Sequence, residues 1–164
     1  MRSFCAGLIA LLASVSAATE ALSDDGVQVT PLAYEVMVED DIGSVKDVLV
    51  SALEGRNYSI VNILDVQQGL LNRNIDANPI VLVEFINLTR AYRVTSSDRR
   101  FELFAPLRAA LFEEEGKVRL LILRPRFIGE ALGREHLSDA AIEVLDGFDR
   151  DLRQVAELVQ SGGF

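Results

Sequence analysis

The chain has 164 residues, 49% of them hydrophobic, with 16 basic and 25 acidic side chains and a formal net charge of −9. An acidic surface of this kind repels phosphate backbones and anionic headgroups, which argues against general nucleic-acid binding and electrostatic docking on membranes. The single cysteine, Cys5, rules out an internal disulfide, an iron–sulfur cluster and cysteine-attached haem.

In chain order, Arg2 gives a positive start and Phe4 to Val15 is uncharged and apolar apart from Ser14. Val15, Ser16, Ala17 and Ala18 then offer the small side chains a signal peptidase accepts. This order predicts a signal peptide over residues 1–17. Its apolar part is about a dozen residues, too short to cross a hydrocarbon core of about 30 Å as a helix. The expectation is an exported, soluble protein, periplasmic or secreted, with no stable membrane insertion. Cleavage after Ala17 removes Arg2 and Cys5, so the mature chain is cysteine-free, with 15 basic and 25 acidic residues and a charge of −10.

Residues 18–33 read as a mobile, polar lead-in. Tyr34 to Val38 alternates as a strand. Asp40 or Asp41 is placed to cap a helix whose apolar positions are Ile42, Val45, Leu49, Ala52 and Leu53, ending at Gly55. Tyr58 to Val66 is β-branched and reads as a second strand. Gln67 to Pro79 is a loop or short helix. Ile80 to Ile86 is almost wholly apolar, which predicts a central strand.

Thr89 to Ser96 predicts a short helix, with Leu88 and Tyr92 one turn apart. Pro106 to Glu113 and Lys117 to Leu123 form a hairpin around Glu114, Glu115 and Gly116. Pro125 stops the second hairpin strand, and Arg126 to Leu137 reads as an irregular connection with turns at Gly129 and Gly133. Ser138 caps a last helix with an apolar stripe of Ala141, Ile142, Leu145, Phe148, Leu152, Val155, Ala156 and Val159. Gly147 weakens it by up to about 1 kcal/mol against alanine. The predicted fold is α+β, a two-layer sandwich of a mixed or antiparallel sheet with helices on one face. It forms a single domain over 34–160, with the last helix at 138–160.

Val83-Glu84-Phe85-Ile86-Asn87-Leu88 with Arg90-Ala91, then Ala105-Pro106-Leu107-Arg108-Ala109-Ala110-Leu111-Phe112-Glu113-Glu114, then Gly116-Lys117-Val118 and Arg124-Pro125 form a recurring pattern. It resembles the family called domain of unknown function 302, most strongly over Val83–Pro125 and more broadly over Val45–Pro125. The resemblance implies a compact, often exported domain and a homodimer, with no established activity. Many relatives carry a cysteine where this chain has Leu107, and another where it has Ile86, so no thiol redox or metal role transfers.

No catalytic or metal constellation emerges. His136 is the only histidine, and no Gly-x-Ser-x-Gly, P-loop or dinucleotide motif occurs. Glu39-Asp40-Asp41 and Glu113-Glu114-Glu115 read as a helix start and a hairpin tip rather than ion sites. Asn57-Tyr58-Ser59 and Asn87-Leu88-Thr89 match the glycosylation triplet, which matters only in a eukaryotic source. The notable local feature is basic: Arg90, Arg93, Arg99, Arg100 and Arg108 lie within about twenty residues of an acidic chain. Arg108 and Glu84 interrupt two apolar strands, so neighbouring strands would pair them. Alternatively Glu84, Asn87, Arg90, Arg108 and Arg124 line a pocket for a small anion, since arginine forks suit carboxylates and phosphates. The functional expectation is a non-enzymatic module that binds a small anionic ligand or a protein partner, without a cofactor. The alternatives are a small enzyme using carboxylates and arginines, or a structural homo-oligomer subunit. A homodimer would use an exposed sheet edge or the Ser138–Gln160 helix.

Overall fold

The computed structural model describes residues 26–163. The signal peptide read at 1–17 and the first part of the lead-in lie outside these residues. Six strands form one fully antiparallel sheet: β1 (Gln28–Val29), β2 (Ala33–Val38), β3 (Ser59–Asp65), β4 (Ile80–Ile86), β5 (Leu107–Glu114) and β6 (Lys117–Leu123). Their spatial order is β1-β2-β6-β5-β4-β3. The helices are α1 (Ile42–Glu54), α2 (Val66–Leu71), α3 (Leu88–Ser97), α4 (Pro125–Leu132) and α5 (Asp139–Gln160), with 3₁₀ turns at Arg99–Leu103 and Arg134–His136. The α+β sandwich is therefore present, with the sheet antiparallel throughout.

Local chemistry sets the helix starts. Asp41, Asp65, Asn87 and Ser138 each accept a backbone N–H with a side-chain oxygen at the head of α1, α2, α3 and α5. The β5–β6 hairpin turns on two residues, Glu115 and Gly116, at φ +53° and +80°. Two positive φ values suit the right-handed twist of the flanking strands. The turn is thus tighter than expected, and Glu114 joins the ladder opposite Lys117.

One layer of helices covers one face of the sheet. α5 lies in its middle and packs against α1, α3, α4 and β2. Its Leu145, Phe148, Leu152, Val155, Ala156 and Val159 are buried against Tyr34 and Val36 of β2, Val83 and Phe85 of β4, Leu107 and Leu111 of β5, and Leu120 and Ile122 of β6. With no disulfide among the described residues, this apolar burial carries the fold.

Four details differ from the sequence reading. The lead-in is structured at its end, where Gln28–Val29 pairs with Tyr34–Glu35. The segment read as irregular after Pro125 holds α4, with Pro125 in its first turn and Gly133 in the left-handed conformation behind it. That is the usual placement of proline and glycine about a helix. At the end of α1 the left-handed residue is Asn57 at φ +61°, not Gly55. Asparagine tolerates that region through its short polar side chain. In α3 the buried residues are Ala91 and Val94, while Leu88 and Tyr92 face outward.

Candidate binding surface

The five residues read as an anion pocket separate into three places. Glu84 and Arg108 are direct register partners across β4 and β5, with Oε1 and Nη2 2.5 Å apart. They sit on the sheet face away from the helices. Asn62 on β3 donates to the same carboxylate at 3.4 Å. The Arg108 hydrogen bond, then that of Asn62, hold the Glu84 carboxyl below the ordinary range. Asn87 is used locally: Oδ1 accepts the Arg90 N–H, and Nδ2 donates to the Asn57 carbonyl at 3.0 Å.

Arg90 and Arg124 turn instead toward α5. Arg90 Nη1 meets Asp151 Oδ2 at 2.6 Å, and its guanidinium lies 4.4 Å from the Phe148 ring centre. The Tyr58 hydroxyl reaches the same aspartate at 3.5 Å, and its ring stacks edge-on against Phe85. Burial foremost, then Asp151, pushes the Tyr58 phenol well above its usual value. Arg124 makes a parallel arrangement. Its Nε lies 3.6 Å from Asp149, its Nη1 donates to the Thr30 carbonyl at 2.6 Å, and its guanidinium stacks 5.1 Å from the Tyr34 ring. Tyr34 donates to the Asp149 carbonyl at 3.1 Å. Two arginine–tyrosine–aspartate clusters thus bind α5 down to the elements on either side of it.

Of the remaining arginines in the basic cluster, Arg100 chelates Asp98 and donates to the Leu132 carbonyl. Arg93 and Arg99 make no ion pair or hydrogen bond among the described residues. They border two shallow concavities that share Tyr92, which is 72% exposed. Glu102 faces the first of these, accepting from Thr95 Oγ1 at 2.7 Å. His136 is exposed, with only Glu135 near it, at 3.4 Å.

The larger unexplained surface is the sheet face opposite the helices. Directly opposed residues share a face, so the register identifies it. Ala110 lies between Leu82 and Leu121, and Phe112 between Ile80 and Arg119. Leu64 extends the row from Leu82, and Met37 from Arg119. Leu82, Ala110, Phe112, Leu121, Ile80 and Met37 are half-buried, and Leu64 is exposed. Charges on the same face are answered within the chain: Arg108 by Glu84, and Arg119, which opposes Phe112, by Glu35 at 2.5 Å and Glu114 at 3.0 Å. The clue in the sequence was the almost wholly apolar run of β4, which Glu84 alone interrupts; among the described residues helices cover only one of its faces.

Comparison with known proteins agrees with this architecture. The profile of the family described as "Domain of unknown function DUF302" matches residues 34–155. The chain belongs to this family. A DUF302 crystal structure, of an uncharacterized conserved protein from Bacillus stearothermophilus, superimposes with a TM-score of 0.68 at 18% identity. The match covers 76% of this chain and 95% of that one. At such identity the likeness establishes the fold alone. No curated protein matches the chain.

Proposed function

We propose that this DUF302 chain is an exported, non-enzymatic binding domain whose open sheet face receives a protein partner with a flat apolar surface. The observation that carries the reading is the side-chain pattern of β4, β5 and β6. An antiparallel sheet with one wet face alternates apolar and polar residues. Here Ile80, Leu82, Ala110, Phe112 and Leu121 put apolar side chains on the uncovered face as well. Leu82, Ala110 and Leu121 form one apolar row and Ile80 and Phe112 part of the next, with Glu35, Glu84, Arg108 and Arg119 set among them on the same face. Exposed apolar patches rimmed by polar residues mark interaction sites. The paired charges on this face support the same reading, because a partner meets no lone ion among the described residues there. Meanwhile Arg90, Arg108 and Arg124 are engaged in holding the fold.

The test uses the Leu121→Lys variant, which places a charge at the centre of the face. Wild-type protein retains a defined partner from an extract of the exporting compartment, and the purified partner binds it with measurable affinity. The variant loses that binding at unchanged melting temperature. Equal binding by both proteins removes the face from the reading. Export itself is checked by N-terminal sequencing of material outside the cytosol: a start at Ala18 is expected, and an intact Met1 contradicts it.

A second reading rests on Tyr92. Arg93 and Arg99, without hydrogen-bond or ion-pair partners among the described residues, lie beside an exposed aromatic and suit a small carboxylate or phosphate. Thermal-shift measurements with small anions test it: stabilisation that disappears in Arg99→Ala supports this site, and no stabilisation by any anion excludes it.

A further inference from the structure

Beyond the open face, the outer strand β3 presents a different kind of surface. It ends the sheet, so one side of its backbone carries no ladder among the described residues. Natural outer strands are blunted by lysine, proline, bulges or shortness. The opposite edge follows that rule, since β1 has two residues. β3 has seven, Ser-Ile-Val-Asn-Ile-Leu-Asp, with neither lysine nor proline, and its one irregularity, between Ile60 and Asn62, leaves Asn62–Asp65 regular. Val61, Ile63 and Leu64 are each about half exposed. The chain continues through α2, which buries no residue, and Leu71 and Ile75 are also exposed. From Ser59 to Pro79, 21 residues, not one is buried.

We propose that β3 pairs with β3 of a second copy of this chain about a two-fold axis, joining two six-stranded sheets into one of twelve strands. Three observations favour a second copy over an unrelated protein. First, a two-fold axis perpendicular to the sheet makes the new pair antiparallel, continuing the pattern of every other pair in the sheet. Because the far edge is only two residues long, the contact closes as a dimer and does not extend into a fibre. Second, residues 59–79 carry only Asp65, Arg73 and Asp76, a net −1 in a chain of −9. Two acidic copies therefore meet where their repulsion is weakest. Third, an interface of standard size draws about 20–30 residues from each side. The uncovered arm supplies 21.

Register follows from the ladder with β4. That ladder is irregular between Ile60 and Asn62 and regular from Asn62 to Asp65, and we place the axis at Ile63, within the regular stretch. Asn62 then faces the partner's Leu64 on the open side of the sheet. The other dimer surface considered from sequence, the Ser138–Gln160 helix, buries nine residues inside the helix layer and turns Glu143, Arg150, Arg153 and Glu157 outward. This inference concerns the edge and stands apart from the open-face reading.

The experiment is light scattering on the full chain across a dilution series, together with Ile63→Lys, Leu64→Lys and Ile63→Cys. Wild type is expected at twice the monomer mass, and each lysine variant at the monomer mass with an unchanged melting temperature. Opposed residues in an antiparallel pair have Cα atoms about 4.5–5.5 Å apart, within the span of a disulfide. In a Cys5→Ser background, Ile63→Cys should therefore form a reducible covalent dimer under oxidation, which Cys5→Ser alone cannot. Should a lysine variant unfold, the cross-link decides. A monomeric wild type, a dimer that persists in both lysine variants, or an Ile63→Cys protein that does not cross-link overturns the proposal.

Discussion

At the residue scale, Gly147 and Arg90 share one space. A Cβ built on Gly147 would fall well inside contact distance of the Arg90 Nη2. A glycine inside a helix costs up to about 1 kcal/mol against alanine, which on local grounds makes Gly147 a weak point. Here the missing side chain lets a guanidinium lie across α5 onto Asp151 and Phe148. The Cβ would meet chiefly the end of the flexible Arg90 side chain, so Gly147→Ala is expected to displace the guanidinium from Asp151 with little net change in urea denaturation, the lost pair offsetting the gain in propensity. In an Arg90→Ala background the same change should stabilise. Equal effects of Gly147→Ala in the two backgrounds would refute the shared-space account. Asp151→Asn is expected to cost about 1–2 kcal/mol, the range for a charge-assisted hydrogen bond that keeps some solvent contact. Glu84 adds a pH dependence. Its carboxyl titrates below the ordinary range when folded, so the stability it supplies is complete above its unfolded pKa and is lost as pH falls through the lowered folded value. The difference in melting temperature between wild type and Arg108→Ala should therefore close on acidification, and a constant difference would remove the pair from the stability of the sheet.

At the scale of elements, α5 is the organising piece. It is the one helix in contact with α1, α3, α4 and β2 together. Phe148 sits at its centre, against the Tyr58 ring and beneath the Arg90 guanidinium. Phe148→Ala should cost about 3–5 kcal/mol, as truncation of a buried aromatic does, measured as a lowered urea midpoint. Tyr58→Phe gives a second check through alkaline pH. The folded phenol ionises later than the unfolded one, so wild-type stability declines as pH rises through the unfolded tyrosine pKa. The variant should decline less. These elements were legible to different degrees. The stripe of α5, its Ser138 cap and the β5–β6 hairpin follow from short-range periodicity and turn chemistry. α4 was obscured because Gly129 lies within it. That glycine is buried, with its missing Cβ position 3.4 Å from Leu145 of α5. Only that packing shows why a glycine belongs in a helix there.

At the scale of the whole molecule, the described residues form a two-layer structure with one layer of helices, a largely apolar sheet face without a cover among them, and one long edge without lysine or proline. Both surfaces predict association, and by different chemistry: side-chain burial on the face, backbone hydrogen bonding at the edge. Leu121→Lys and Ile63→Lys should therefore act separately, the first on a partner and the second on self-pairing. Residue order by itself determined the α+β class, the caps of α1 and α5, the family resemblance and the neighbourhood of Glu84 and Arg108, because each depends on spacing of a few residues or on a pattern within one segment. Tertiary structure alone decided that Arg90 and Arg124 turn to α5 while Arg108 stays on the open sheet, so the arginines do not converge. The physical reason is that a strand sends successive side chains to opposite faces and the connections set which elements meet. Residues close in sequence can thus end on opposite sides of the sheet.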